Sequence, residues 1–177
     1  MTEWLDIVDD RDRIIGRDTR ARVHAEGHLH RSSHIVLFNS RGEVFVQLRS
    51  MLKDSGAGLW DTSAAGHVDS GESYIDCAVR EMREELGVAL SADSFTEVGK
   101  LPPDVRTGYE FTCVYRVDSD QPLVLQAEEI DDGRWLLPGE LDEWIARCGC
   151  EFTEGFKLIW TLINRREGLV PEISSPV

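Results

Sequence analysis

Three glutamates, Glu81, Glu84 and Glu85, stand at i, i+3 and i+4 within residues 66–88, GHVDSGESYIDCAVREMREELGV. On a helix turning about 100° per residue they fall on one side. Ile75, Ala78, Val79, Met82 and Leu86 gather on the other, as the apolar stripe of a helix packed on a core. Carboxylates crowded in this way repel by roughly a few tenths of a kcal/mol per pair. A hard divalent cation offsets that repulsion, because Mg²⁺ takes oxygen ligands and bridges carboxylates to substrate phosphates. Hydrolysis of a diphosphate needs a charge-neutralised phosphorus, a positioned water and a proton acceptor. This acidic face can provide the first two. Arg80, just off the face, is placed to reach back to Glu72 and pin the preceding loop, and Gly87 ends the helix as a C′ glycine.

The elements that must position this helix can be read from pattern. Residues 5–8 and 13–16 form a hairpin around a polar turn, and residues 17–33 lead into the main sheet as a short helix or loop. The apolar run 34–38 is a buried strand, 39–42 a turn, and 43–49 the returning strand. A glycine loop at 55–58 precedes a strand that starts at Leu59 and runs into the catalytic loop. After the helix, strands are expected at 95–101, stopped by Pro102 and Pro103, at 109–117, and more briefly at 123–125 and 134–137. Pro138 opens a helix through Leu141, Trp144 and Ile145. A last helix, 156–166, buries Phe156, Ile159, Trp160 and Ile163, with Arg165 and Arg166 at the negative end of its dipole, and 171–177 is a loose tail. Strands interleaved with helices predict an α/β layered domain.

Composition narrows the function. The 177 residues suit one domain, 1–177, with residues 1–30 as an N-terminal hairpin extension. A net charge of −14 repels polyanions, so no nucleic-acid polymer is expected as partner. No apolar run approaches a membrane span, and Thr2-Glu3-Trp4-Leu5-Asp6 lacks the basic and apolar regions of a signal peptide, which predicts a cytoplasmic protein. Four scattered cysteines, Cys77, Cys113, Cys148 and Cys150, do not make a disulfide framework or complete a zinc site. The first two are expected to be buried.

Residues 66–88 read Gly, five residues, Glu, seven residues, then Arg-Glu-apolar-x-Glu-Glu-x-Gly-apolar, without a mismatch. This is the signature that the chain shares with the Nudix hydrolases, and the segment resembles that family's box. The resemblance implies an α/β/α sandwich with a mixed β-sheet between helices, and hydrolysis of a phosphoanhydride bond in a small nucleoside-diphosphate-linked or other diphosphate compound. It implies Mg²⁺, with Mn²⁺ as the alternative ion, held by Glu81, Glu84, Glu85 and the Gly66 carbonyl. Arg80 and Glu72 become an orienting ion pair. Glu81 or Glu84 is the expected base, with Glu128 and Glu129, in a loop resembling the acidic loop of many members, as alternatives. Arg49, Lys53 and Arg31 flank the motif and are the expected phosphate contacts, and Trp60 or Tyr109 is the aromatic available to stack on a base.

Leu29-His30-Arg31, Val36-Leu37-Phe38-Asn39, Trp60-Asp61 and Gly66-His67 are similar to a branch of Nudix proteins related to isopentenyl diphosphate isomerase. The isomerase pattern requires a cysteine where this chain has Ala65, and a Glu-x-Glu on a later strand, where the corresponding stretch here is Tyr109-Glu110-Phe111 followed by Thr112-Cys113. Isomerisation is therefore the less favoured of two alternatives. The other is a non-catalytic ligand sensor, which loss of box carboxylates would favour, and none is lost. His28, His30 and His34 lack a carboxylate at ligand spacing and are read as packing or hydrogen-bonding residues. A homodimer is the ordinary prior for such a domain.

Overall fold

The computed structural model describes residues 2–166. Strand β3 (His30–Phe38) is the centre of a seven-stranded mixed sheet. Its apolar run is continuous because both faces are covered: Ile35 and Leu37 enter one core, Val36 and Phe38 the other. Strand β4 (Val44–Arg49) follows a turn in which Gly42 takes φ 74°, a conformation open to glycine. The two strands share one register pair, Phe38↔Val44, and then part.

That fork shapes the molecule. β4 goes on to pair with β5 (Trp60–Asp61) and with β9 (Ile130–Leu136), while β6 (Ala64–His67) pairs antiparallel with β3. Ser63 staples the gap, donating from Oγ to the Phe45 carbonyl at 2.6 Å and accepting from the Leu37 N–H at 2.8 Å. On the far side β8 (Glu110–Asp118) runs parallel to β3, and β7 (Phe95–Leu101) pairs antiparallel with β8.

Helix α2 (Tyr74–Leu86) covers one face of the sheet. Ser73 caps its start, accepting from the Asp76 N–H, and Gly87 at φ 69° ends it. Met82 and Leu86 are wholly buried, each worth about 1.5–3 kcal/mol. Helices α3 (Pro138–Cys148) and α4 (Glu154–Arg166) close the opposite face, and Phe156, Ile159, Trp160 and Ile163 are buried there as their spacing predicts. The layering is α/β/α with a mixed sheet between helices, as the resemblance implies. Among the described residues no helix is long and apolar enough to cross a membrane.

Ahead of the sheet, β1 (Trp4–Val8) and β2 (Ile14–Thr19) form a hairpin, followed by the short helix α1 (Arg20–Glu26). Two aspartates lock this hairpin to the residues that lead into α2. Asp6, buried, accepts from the Ser70 hydroxyl at 2.6 Å and the Gly71 N–H at 3.2 Å. Asp12 accepts from Arg31 Nε at 2.6 Å, Tyr74 Oη at 2.9 Å and Lys100 Nζ at 2.6 Å.

Four expectations need correction. Residues 123–125 form no strand: the Val124 and Gln126 N–H groups donate to the Leu86 and Glu85 carbonyls, so the segment caps α2 instead of joining a ladder. β3 starts at His30 and not at His34, because its first residues pair with β8 from His30↔Glu110 onward. Tyr109 lies just outside β8, at φ 64° and exposed. Glu85 is buried along with Cys77, Ala78, Met82 and Leu86, while Ile75 and Val79 are only half-buried. The tail expected at 171–177 lies outside the described residues.

Candidate active site

A cleft of about 960 Å³ runs along the sheet beside α2, and carboxylates outnumber lysines and arginines in its walls. Glu81, Glu84 and Glu85 all line it, but at three depths. Glu84 has a half-exposed side chain, that of Glu81 is mostly covered, and Glu85 is 4% exposed. The fork between β3 and β4 receives the deepest of them. There Glu85 Oε2 accepts from the Ala65 N–H at 3.1 Å and from Gln47 Nε2 at 3.3 Å.

Burial acts on these acids strongly. It drives Glu81 up to about 7, against the opposing pull of Arg80 and with added repulsion from Glu84 and Glu129. Glu85 is driven to about 8 by burial and by the Glu81 charge, despite the Ala65 N–H and Lys53. Two carboxyls that cannot both be charged cheaply side by side are suited to a cation. The three carboxylates that line the cleft offer oxygen donors, the kind a hard divalent ion takes.

Gly66 sits beneath Glu81. A methyl group on its Cα would overlap the Glu81 carboxyl and come within 2.8 Å of its Cγ. Only a residue without a side chain leaves the glutamate in place. Arg80 holds the loop to the helix as its position in the sequence predicts: Nε and Nη2 donate to Glu72 at 2.9 and 2.8 Å, and Nη2 also to the His67 carbonyl at 3.0 Å. Its Nη1 contacts Glu81 and, at 3.3 Å, Glu84. The guanidinium therefore orders the loop and two of the three glutamates together.

The other sequence candidates divide. Glu128, Glu129, Arg49 and Lys53 line the cleft. Lys53 is ion-paired with Glu129, and Arg49 with the buried Asp61 at 3.3 Å, so both cations reach the cleft already partnered. Arg31 is not in the cleft wall; it is spent on Asp12 and on the Tyr74 ring, 5.4 Å from its centroid. Trp60 is buried in the core under Arg134, and neither it nor Tyr109 lines the cleft. Cys77 and Cys113 are buried thiols, and Cys148 and Cys150 are free.

At one end of the cleft, which His24, His67 and Glu110 line, the fold gathers groups that the sequence does not bring together. His28 bonds Glu26 and His34 bonds Thr62, but His30 packs against His24 and His67, with ring centroids 4.8 to 5.2 Å apart. The cause is register: β3 sets His30 opposite Glu110 on β8, and Ser32 opposite His67 on β6. Burial opposes charge on His67, yet its bonds to Glu110 and Glu3 outweigh that and hold it near about 9. Burial would raise Glu110, but His30 and His67 keep it well below the usual carboxylate range. Burial, then the neighbouring histidines, push His24 down to about 4. No local pattern could have found this corner, since its members come from four elements.

Known proteins agree with this architecture. The NUDIX domain pattern matches residues 28–149. A protein of Yersinia pestis named an uncharacterized Nudix hydrolase is 39% identical over 155 residues, covering 85% of this chain and 80% of that protein. A Deinococcus radiodurans protein of known crystal structure superposes with a TM-score of 0.73 at 29% identity, covering 92% of this chain and 98% of that one. A bifunctional NMN adenylyltransferase/ADP ribose pyrophosphatase from Francisella tularensis, solved with AMP and a Mn ion, shares the fold at a TM-score of 0.59 and 19% identity, over 77% of this chain and 41% of that one. With its box intact and the family pattern spanning most of its length, the chain belongs to the Nudix hydrolases, enzymes that act on acid anhydrides.

Proposed function

We propose that this chain hydrolyses a phosphoanhydride bond in a small diphosphate compound, nucleoside-linked, with Mg²⁺ or Mn²⁺ held by Glu81, Glu84, Glu85 and the Gly66 carbonyl. The observation that carries the reading is the pair of buried, mutually repelling carboxyls, Glu81 and Glu85, set over a glycine in an acid-rich cleft. Anionic substrates would be repelled by those walls unless cations entered with them. When bound, the divalent ion supplies neutralisation of the phosphoryl oxygens.

The chain's own groups do the rest. Arg80 fixes the Glu72 loop and keeps Glu81 and Glu84 oriented. A carboxylate takes the proton of the attacking water as the new P–O bond forms and the bridging P–O bond breaks. Glu84, half-exposed at the cleft wall, is assigned that role, with Glu81 and, across from it in the acidic loop, Glu129 as the residues to test against it. Lys53 and Arg49, released from Glu129 and Asp61, would meet the substrate phosphates. Arg31 is left out of the substrate set. A cytoplasmic setting suits such a substrate.

The test is a screen of nucleoside di- and triphosphates, nucleotide sugars, ADP-ribose and dinucleoside polyphosphates with Mg²⁺, scored for phosphate or nucleotide release. Metal-dependent release by the wild type, and a loss of at least about tenfold in Glu84→Gln, are expected. Equal rates in both proteins would refute the assigned site. Binding of a diphosphate without turnover by the wild type would mean a sensor instead.

A further inference from the structure

Beside the carboxylates of α2 the cleft has a floor of different chemistry. Ser32 and His34 share one face of β3, Thr112 of β8 lies next to Ser32 in register, and all three line the cleft. We propose that this floor is a sugar subsite, where Ser32, His34 and Thr112 take hydroxyl groups of the sugar joined to the substrate's diphosphate. The assignment rests on the metal-dependent hydrolysis proposed above and concerns the part of the substrate that the metal does not hold.

Register puts the floor within reach. Strand β6 sets Ala65 opposite His34 and Gly66 opposite Ser33. Ala65 donates its N–H to Glu85, and Gly66 lies against Glu81. The floor therefore begins one strand away from the groups assigned to the ion, a step of about 4.7–4.9 Å. A sugar bonded directly to a metal-held diphosphate spans that distance.

His34 is the clearest member. Its Nδ1 bonds Thr62 Oγ1 at 2.9 Å, and Thr62 is wholly buried. Its Nε2, on the other side of the ring, makes no hydrogen bond to any described residue. Burial holds the ring below the ordinary histidine range, against the pull of Asp61 and Glu110, so the imidazole is neutral. A hydroxyl satisfies the open nitrogen in either tautomer, because it both donates and accepts, whereas a phosphate oxygen only accepts.

Ser32 and Thr112 repeat this chemistry. Their hydroxyl oxygens are 3.0 Å apart, and both residues are 1% exposed. Two hydroxyls share one hydrogen bond, which leaves one O–H proton with no acceptor among the described residues. Buried polar groups need partners, and a sugar hydroxyl supplies one. Among the described residues the rings that line the cleft are imidazoles, and no Phe, Tyr or Trp stands there to stack on a base. Such a cleft selects the sugar and tolerates a change of base.

Non-hydrolysable ligands test this by calorimetry with Mg²⁺: methylenediphosphonate, α,β-methylene-ADP, its 2′,3′-dideoxy counterpart and α,β-methylene-UDP. The wild type is expected to bind the ADP and UDP analogues within about threefold of each other, and the dideoxy analogue at least about tenfold more weakly. His34→Phe keeps a ring in place without Nε2. It is expected to weaken the ADP analogue about fivefold or more and to leave methylenediphosphonate unchanged, and Thr112→Val to act in the same way by a smaller factor. Equal affinity of the wild type for the ribose and dideoxy analogues would overturn the subsite. So would a His34→Phe loss that methylenediphosphonate shares, or a base change that costs more than loss of the hydroxyls. Methylenediphosphonate that fails to bind the wild type, or binds Glu81→Gln equally well, would overturn the metal reading and the subsite with it.

Discussion

Glu81, Glu84 and Glu85 come from five consecutive residues of one helix, whereas His24, His30, His67 and Glu110 come from α1, β3, β6 and β8. The first cluster is fixed by helical pitch and the second by strand register. This difference governs what each can tolerate. The glutamates keep their relative positions wherever α2 goes, so they depend on the loop that Arg80 and Glu72 hold. The histidines keep theirs only while β6 and β8 stay in register on β3 and the hairpin holds α1 in place.

Substitutions can break this contrast. Glu81→Gln carries the largest expected effect, a fall of at least about 100-fold in kcat/KM for diphosphate hydrolysis, because it removes a charge at the metal without changing shape. Gly66→Ala should come next, at about tenfold or more. Its methyl displaces the flexible end of Glu81 and no backbone, so activity drops while the unfolding transition stays near that of the wild type. Asp6→Ala strips partners from the Ser70 hydroxyl and the Gly71 N–H and should cost about 1–3 kcal/mol in denaturant unfolding. An Asp6→Ala protein as stable as the wild type would show that the Asp6 carboxylate does not brace the loop.

The smallest effect is one of pH. Glu81 and Glu85 titrate near about 7 and about 8 in the metal-free fold, above an unfolded glutamate. The folded state thus binds extra protons, and the stability this provides is complete below the unfolded pKa and lost as pH rises through 7 and 8. Metal-free protein should melt progressively lower across that range, and added Mg²⁺ should restore the lost part. A melting temperature that rises with pH in the absence of metal would contradict the crowding.

Much of the fold was legible because its signals are local. The apolar run of β3, the turn closing at Gly42, Pro138 at the start of α3 and Gly87 at the end of α2 each announce themselves within a few residues. The box was legible for the same reason. What was not legible depends on contacts distant in sequence. The wheel set Glu85 with Glu81 and Glu84 on the polar side, but at its angle it borders the apolar stripe, and the fork of the sheet offers Ala65 N–H and Gln47 to receive it. Leu123 to Leu125 have strand composition, yet the open carbonyls at the end of α2 take their donors. Arg31 looked available to a phosphate because Asp12 is nineteen positions away in sequence and 2.6 Å away in space. The histidine corner had no sequence signal, since nothing in the chain states which residue of β8 will face His30.

The central claim is that the acidic face of α2 holds the divalent ion. Anomalous diffraction from a crystal soaked in Mn²⁺ with a non-hydrolysable diphosphate tests it most directly. The account predicts a manganese peak bounded by Glu81, Glu84, Glu85 and the Gly66 carbonyl, with the diphosphate on its open side. A well-occupied diphosphate with no peak among those groups would contradict it.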